Sequence, residues 1–457
     1  MSFSMSPASF RQAIHKLTRG VGDSLRRRNY CVKHPPAVAM ILAAALGAFC
    51  LAAVRADVAA EALTLDAYFA QALLRSETLA TQGELTAQAE ERYRQANAAL
   101  YPTLSGVGTY TWLDSGAQNP ATNPTRQPLA RLALTQPLFR GLSEFAARRQ
   151  TQALVDAQDD DYRNARLQLF KDVAQNFYDV LSFEQELKNL DEQIEQFQQR
   201  EKELQERVRI GRTRPGEVLT VQTTISTLRA QVEQLRTQLS TVRDIFSFLS
   251  GLPATTPLRD AEMLPNGLDT LDVYLARAAL RPDVKAAQQR QSAAHENIGV
   301  ARGAHLPSLD LNANRYLERI GILENVEWDV QLALTVPLYA GGATQSKVRE
   351  AQSQHVQAEL ATTRARRLAE QEIRSFHQAV VLDRSRLDAL EKATDAAKRN
   401  YETQRQDYRL GLVTNLDVLQ ALSTYQENQR ALDRARFNVK LNYLRLQAAA
   451  VYRPAAP

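Results

Sequence analysis

The side chains best suited to chemistry are few and scattered. Histidines stand at positions 15, 34, 295, 305, 355 and 377, without metal-ligand spacing. Gly341-Gly342 is not followed by the Lys-Ser/Thr of a phosphate loop. The only cysteines, Cys31 and Cys50, both lie in the first 56 residues. A chain shortened past them could form no disulfide, thiolate metal site or thiol nucleophile. The acid run Asp159-Asp160-Asp161 reads as a solvated helix face. No catalytic constellation, cofactor or metal site is therefore expected, and the chain reads as a non-enzyme. Two acids do stand in matching places, Glu217 and Asp417, each six residues past a glycine. Acids there stabilise the first turn of a helix, whose free N–H groups favour negative charge.

What positions those acids is a duplicated chain. Leu132-Ala133-Leu134-Thr135-Gln136-Pro137-Leu138-Phe139 returns as Leu332-Ala333-Leu334-Thr335-Val336-Pro337-Leu338-Tyr339. Arg209-Ile210-Gly211 returns as Arg409-Leu410-Gly411, and Glu217-Val218-Leu219 as Asp417-Val418-Leu419. Leu65-Asp66-x-Tyr68 recurs as Leu271-Asp272-x-Tyr274. Several matches in one order at nearly one offset mark an internal repeat. In each half a helical segment runs to Pro102 or Pro307. Two β-like segments follow and end at Pro137 or Pro337. After Gly141 or Gly341 comes a long proline-free segment that stops at Gly211 or Gly411, and a return helix follows.

The long segments carry heptad seams. Phe183, Leu187, Leu190, Ile194, Phe197, Leu204 and Val208 keep a 3-4 spacing, as do Val221, Ile225, Leu228, Val232, Leu235, Leu239, Val242, Phe246 and Leu249. The second copy, Leu387, Leu390, Thr394, Ala397, Tyr401, Gln404 and Tyr408, keeps the register but is more polar. At roughly 1.5 Å per residue the run from Leu142 to Arg209 spans about 100 Å, more than a globular domain uses. The β-like segments alternate. Val326, Trp328, Val330, Leu332, Leu334 and Val336 interleave with Glu327, Asp329, Gln331, Ala333 and Thr335. Val326, Trp328, Val330, Leu332 and Leu334 are expected to face lipid and Asp329 and Gln331 a watery lumen; an ordinary sheet packed on helices is the other reading of such alternation. Four strands cannot close a membrane barrel, and open edges are not tolerated in hydrocarbon. The barrel must be shared between copies, two or three by strand count alone.

The formal charge of +5 misleads. Residues 1–56 hold eight basic side chains and one acid, and the remainder 48 basic against 50 acidic. The basic excess is therefore no nucleic-acid footprint. Arg26-Arg27-Arg28 and Lys33, the apolar run Ala37 to Val54 and the small residues of Val54-Arg55-Ala56 read as a signal peptide over 1–56. A retained inner-membrane anchor is the alternative.

These residues resemble the outer membrane efflux protein family, the TolC-like outer-membrane factors. The marks are the duplicated Pro-Leu-aromatic turns with following glycine, as in Pro337-Leu338-Tyr339-Ala340-Gly341-Gly342, and the Gly411 to Leu419 turn. The resemblance runs from about Leu63 to Ala450. It implies a mainly α chain whose long coiled-coil hairpins form an α-helical barrel and whose four strands join a trimeric β-barrel. It implies an exit duct in the outer membrane of a Gram-negative cell, extending into the periplasm. The implied partners are two further copies, a periplasmic adaptor, an inner-membrane pump (ABC, RND or similar) and outer-membrane lipid. The gate residues implied are Asp417, which matches an acid ringing the entrance, Tyr408, which matches a tyrosine hydrogen-bonded to a neighbouring hairpin, and Glu217. Arg209, Gly211, Val218, Leu219, Arg409, Gly411, Val418 and Leu419 are the expected tip turns and adaptor contacts. Two positions depart from the family pattern: Gln420 replaces a second acid, and Val413 stands where some members carry a gate arginine.

The layout expected is a first repeat over 57–268, with strands at about 103–136 and a hairpin at about 142–250. A second follows over 269–457, with strands at about 307–336 and a hairpin at about 342–450. The rival reading, a periplasmic adaptor, needs a retained anchor and two lipoyl-like half-motifs around one hairpin. A purely structural coiled coil leaves the duplicated strands unexplained.

Overall fold

The computed structural model describes residues 62–114, 125–265, 267–320 and 323–451. The expected signal peptide lies outside them. Two short helices open the first half. α1 (Leu65–Arg75) starts at Thr64, whose hydroxyl accepts from the Ala67 N–H. α2 (Glu77–Ala98) starts at Ser76, which accepts from Leu79. Such caps satisfy N–H groups that a helix start leaves without partners. Strands β1 (Thr103–Trp112) and β2 (Arg126–Arg140) follow. The 67-residue α3 (Ser143–Arg209) runs to a tight turn, and α4 (Pro215–Ser250) returns. The second half repeats the order with α5 (Leu271–Leu275), a 3-10 turn over Ala278–Leu280, α6 (Pro282–Gly303), β3 (Ser308–Arg319), β4 (Trp328–Thr335), the 68-residue α7 (Ala343–Leu410) and α8 (Asn415–Ala449). Among the described residues no helix is long and apolar enough to cross a membrane.

The strands form one antiparallel sheet in the order β1-β2-β3-β4. Its register lines up like with like across all four strands. Leu104, Leu134, Ala313 and Val330 make one row, and Thr103, Thr135, Asn312 and Gln331 make the next. Trp328, Val330, Leu332 and Leu334 are more than half exposed in the single chain, on the apolar face. Two strand limits differ from the sequence expectation. β2 continues through Pro137 to Arg140, because a register shift against β3 between Pro137 and Phe139 absorbs the missing N–H. Val326, expected in the lipid-facing row, precedes β4; its N–H is spent in a turn on the Leu323 carbonyl, 3.0 Å away.

Three apolar clusters hold the helices among the described residues, one of them around Tyr274, Val284, Ile373 and Leu446. Where the halves meet, Leu65, Tyr68, Phe177, Tyr178, Phe246 and Leu444 are buried together. Tyr68 donates its hydroxyl to Asn176 at 2.8 Å, and Asn176 donates in turn to the Val242 carbonyl at 2.9 Å. Further along, the heptad residues Leu190, Phe197, Leu204, Val221, Ile225, Leu228, Val232 and Leu235 are buried in one cluster with Tyr408, Val418, Leu419 and Leu422. The seam thus zips α3 to α4 and also joins the first hairpin to the second. On the other side of α4, Thr220, Thr223, Thr224, Ser226 and Thr227 each donate to the carbonyl four residues back.

The junction between sheet and long helix depends on Gly141. Its φ is +65°, and a Cβ there would lie 2.3 Å from the Gly303 carbonyl oxygen at the end of α6. Gly341, its repeat partner, also has positive φ (+59°) but nothing within 4 Å. Left-handed backbone alone costs a side chain about 1–2 kcal/mol. Gly341→Ala should therefore lower stability by about that much, and Gly141→Ala by clearly more, in thermal melts of detergent-solubilised protein. Equal losses would mean that the Gly141–Gly303 approach does not constrain the junction.

Candidate functional site

The residues singled out at the hairpin ends converge at one end of the helices, the end away from the sheet. Each long helix stops in the same way. Gly211 has φ +71°; its N–H bonds to the Val208 carbonyl at 2.9 Å, and that of Arg212 to Arg207 at 2.8 Å. Gly411 has φ +79°; its N–H bonds to Tyr408 at 3.1 Å, and that of Leu412 to Asp407 at 2.9 Å. This paired pattern closes the last carbonyls of a helix and needs a residue that tolerates the left-handed region. Arg209 and Arg409 sit in the last turns, where cations are favourable.

The return helices start differently. α4 begins with Pro215 at a position whose N–H has no helical partner. Glu217 is half-buried in its first turn, and its Oε2 is enclosed without a hydrogen-bond partner among the described residues. α8 begins with a capping box. The Thr414 N–H donates to Asp417 Oδ2 at 2.8 Å, the Thr414 hydroxyl donates to the same oxygen at 2.6 Å, and the Asp417 N–H approaches the Thr414 oxygen at 3.4 Å. The Thr414 hydroxyl, then its N–H, hold the Asp417 carboxyl below the usual carboxylate range. Asp417 remains exposed. It therefore caps its own helix, and its second oxygen, Oδ1, is left for other work.

Tyr408 is buried, and its ring lies between two guanidiniums of the first hairpin. Arg200 is 4.0 Å and Arg207 4.5 Å from its centroid. The ring face makes this contact; the resemblance implied a hydrogen bond from the hydroxyl. Cation–π contacts of this kind contribute about 0.5–2 kcal/mol each. Arg200 also donates from Nε and Nη2 to Asn415 Oδ1, at 2.9 and 2.7 Å, and from Nη1 to Glu203 at 2.9 Å. Asn415 is the first residue of α8 and is buried. One α3 side chain thus clamps both the last turn of α7 and the first turn of α8. Sequence reasoning missed it, although a signal was present. The heptad seam is apolar at Phe197 and Leu204 but has no apolar residue between them, and Arg200 stands in that break.

Val418 and Leu419 were expected to offer an adaptor contact. They are buried in the seam at 2 % and 7 % exposure, because the short turn after Gly411 points the first apolar pair of α8 at α3. They join the hairpins instead of forming a docking surface. Val218 is half-buried against the same cluster, while Leu219 is exposed. The apolar side chains that do face outward at the tips are Ile210, Leu219, Leu410, Leu412 and Leu416.

Two strands and one long helical hairpin, each set present twice in the chain and joined through one two-faced antiparallel sheet, make up the architecture. Comparison with known proteins agrees. The family model described as outer membrane efflux protein matches residues 53–244 and 274–450. The outer membrane protein TolC of Escherichia coli is 24% identical over 377 residues, covering 79% of this chain and 76% of TolC. The cation efflux system protein CusC of Escherichia coli is 23% identical over 394 residues, covering 81% and 80%. The crystal structure of the outer membrane protein VceC from Vibrio cholerae superimposes with a TM-score of 0.76 at 19% identity, over 84% of this chain and 95% of that one. The chain belongs to the outer membrane efflux protein family. It is an outer-membrane exit duct that extends into the periplasm, and the adaptor reading falls away.

The capping box makes a titration test. A carboxyl held low in the fold stabilises at neutral pH, and that contribution is lost as pH falls through the lowered value. Thr414→Ala removes the hydroxyl donor, the largest cause of the shift. NMR titration of the Asp417 carboxyl should then move up toward the ordinary value of about 3.9. An unchanged midpoint would show that Thr414 does not hold it.

Proposed function

We propose that three copies of this chain close the duct, that its hairpin tips form the periplasmic entrance, and that Asp417, Tyr408 and Glu217 act in its gate. The observation that carries the assembly is the sheet. It has an apolar and a polar face, and among the described residues its outer strands β1 and β4 have no further partner. In hydrocarbon those edges must pair, and β4 of one copy with β1 of the next does so. The helices follow the same logic. α3 packs against both α2 and α6, whereas α7 packs against α6 and has no comparable contact with α2 of its own chain. By the internal repeat, the place beside α7 belongs to α2 of the next copy. Val356, Leu360 and Leu368 are exposed on α7 and would be covered there.

In this reading Asp417 carboxylates converge at the entrance and concentrate negative potential, which attracts cations and repels anions. Glu217 stands in the first turn of the other return helix and adds to that field. Val413 cannot supply the gate arginine of some relatives. Arg200 takes that part from the other side, tying Tyr408 and Asn415 to α3 and holding the second hairpin inward. The exposed tip residues Leu219, Leu410 and Leu412, with Arg209 and Arg409, face a periplasmic adaptor. An inner-membrane pump delivers the substrate, and the duct conducts it passively. The segment 1–56 is read as a signal peptide removed on export.

Two experiments test this. Val330→Arg places a cation on the lipid face at a cost of roughly 2–4 kcal/mol near mid-membrane. It should impair trimer formation on heat-modifiability gels far more than Gln331→Arg does. Equal tolerance would count against the shared barrel.

In planar bilayers, Asp417→Asn should lower cation selectivity and divalent-ion block with little loss of trimer stability. Arg200→Met should raise conductance, because it frees the buried Asn415 oxygen at a cost of about 1–3 kcal/mol to the closed tip. Tyr408→Phe keeps the ring and should change conductance less than Tyr408→Ala. An Asp417→Asn channel with unaltered selectivity would reduce that residue to a helix cap.

A further inference from the structure

The polar face of the sheet carries few charges, and they do not cancel. Near the helical end, Arg140 pairs with Asp310 at 3.0 Å. In the half nearer the β1–β2 and β3–β4 turns stand Arg131, Arg319 and Asp329. The register puts all three on one face: Arg131 opposes Tyr316, Leu129 opposes Arg319, and Asn314 opposes Asp329. A register shift at Ala130/Arg131 absorbs the extra residue of β3 and keeps Arg319 on that side.

The acid in this group is satisfied by neutral donors. Asn314 Nδ2 donates to Asp329 Oδ1 at 2.8 Å, and the Tyr316 hydroxyl donates to Oδ2 at 2.7 Å. The arginines stand near that acid without bonding to it directly. Arg319 lies 4.4 Å from the Tyr316 ring centroid, a cation–π contact that steadies it. Arg131 Nε is enclosed with no hydrogen-bond partner among the described residues. No ion pair joins either guanidinium to Asp329 among the described residues. Residues 115–124 and 321–322 include no charged side chain, while Asp114, Glu318, Glu324 and Glu327 stand near them in the chain, Glu327 paired with Arg315 at 2.6 Å.

We propose that Arg131 and Arg319 form a basic collar in the outer half of the pore, where oxyanion groups of passing solute, phosphate or carboxylate, are held transiently. The proposal rests on the duct reading, in which the polar face lines the lumen. Arg131 and Arg319 face the one carboxylate of Asp329, while the neighbouring Glu327 is spent on Arg315 at 2.6 Å, and repetition around the pore sums their field within low-dielectric walls. Arginine suits this task because its fork donates two parallel bonds to a phosphate or carboxylate. Tyr316 positions Arg319, and Asp329 limits the excess so that an anion is attracted but released. The collar's sign is opposite to that of the acidic entrance, so the two ends of the duct select differently.

The test uses single channels of the full-length protein in planar bilayers of neutral lipid, with inorganic pyrophosphate as the probe on either side. Pyrophosphate should reduce the current at low ionic strength from one side, with the effect screened by added salt. The Arg131→Gln/Arg319→Gln double variant should weaken this block about tenfold, as expected for losing charge-assisted hydrogen bonds, and shift the KCl reversal potential toward cations. Asp329→Asn should do the opposite, which guards against a variant that merely folds badly. If the arginines faced lipid headgroups instead, the double variant would change insertion into anionic bilayers and leave the block untouched, overturning the proposal. A wild-type protein that forms no channels removes the duct reading and the collar with it. Wild-type channels whose block and reversal potential the double variant leaves unchanged remove the collar alone.

Discussion

Backbone N–H and C=O groups have no water to turn to inside a bilayer, so every strand edge must meet another strand. The described residues of this chain bring four strands to that problem. Much else in it follows from the shortfall. The strands come in two pairs, and each pair is flanked by helices that enter and leave on the same side. Sheet and helices share a junction, so the path of the chain around the sheet sets the path around the helical layer. β2 passes into α3 at Gly141 against the end of α6, inside one chain. β4 passes into α7 at Gly341 with nothing beside it. The Gly341 junction lies on the flank of the β4 edge, and the β1 edge lies on the opposite flank of the sheet.

The helical part is governed by a different balance. A long hairpin gains its stability from the seam, and a polar residue in the seam must be satisfied or it weakens the whole. Arg200 is satisfied by three partners, Asn415, Glu203 and the ring of Tyr408. Such an interaction has strong directionality. It holds one arrangement of the two hairpins and contributes nothing to a neighbouring one, whereas leucine contacts would tolerate sliding. Specific polar links at the tip and forgiving apolar contacts above it give an end that can exist in distinct states on a stem that does not.

Much of this was legible in the sequence, for identifiable reasons. The repeat, the two seams and the turn glycines are one-dimensional signals, because period and chirality leave fixed residue types at fixed places. Trp328, Val330, Leu332 and Leu334 could be placed on one face from alternation alone. Strand ends were less legible. β2 runs past Pro137 since a bulge cancels the proline's lost bond, and Val326 falls into a turn since its N–H finds a nearer acceptor than the ladder. Val418 and Leu419 were misjudged because the same apolar pair can cover a tip or fill a seam, and only the direction of the turn decides. Arg200 was invisible as a clamp because its partners lie about two hundred residues away in the chain. Even there, the gap between Phe197 and Leu204 marked the spot.

The hydroxyl row of α4 has a mechanical consequence. Thr220, Thr223, Thr224, Ser226 and Thr227 crowd carbonyls that the helix already uses, on the side away from the seam. Bonds shared in this way lengthen slightly, and a helix longer on one side curves. The curvature is also cheap to alter, because each shared bond can shift its weight between two donors. α4 is therefore a rod with one pliant direction, while Val221, Ile225 and Leu228 keep it in register with α3. The corresponding stretch of α8 has Thr424 in this role but no such row. The two return helices thus differ in compliance: α4 can follow a change in the girth of the helical barrel more readily than α8.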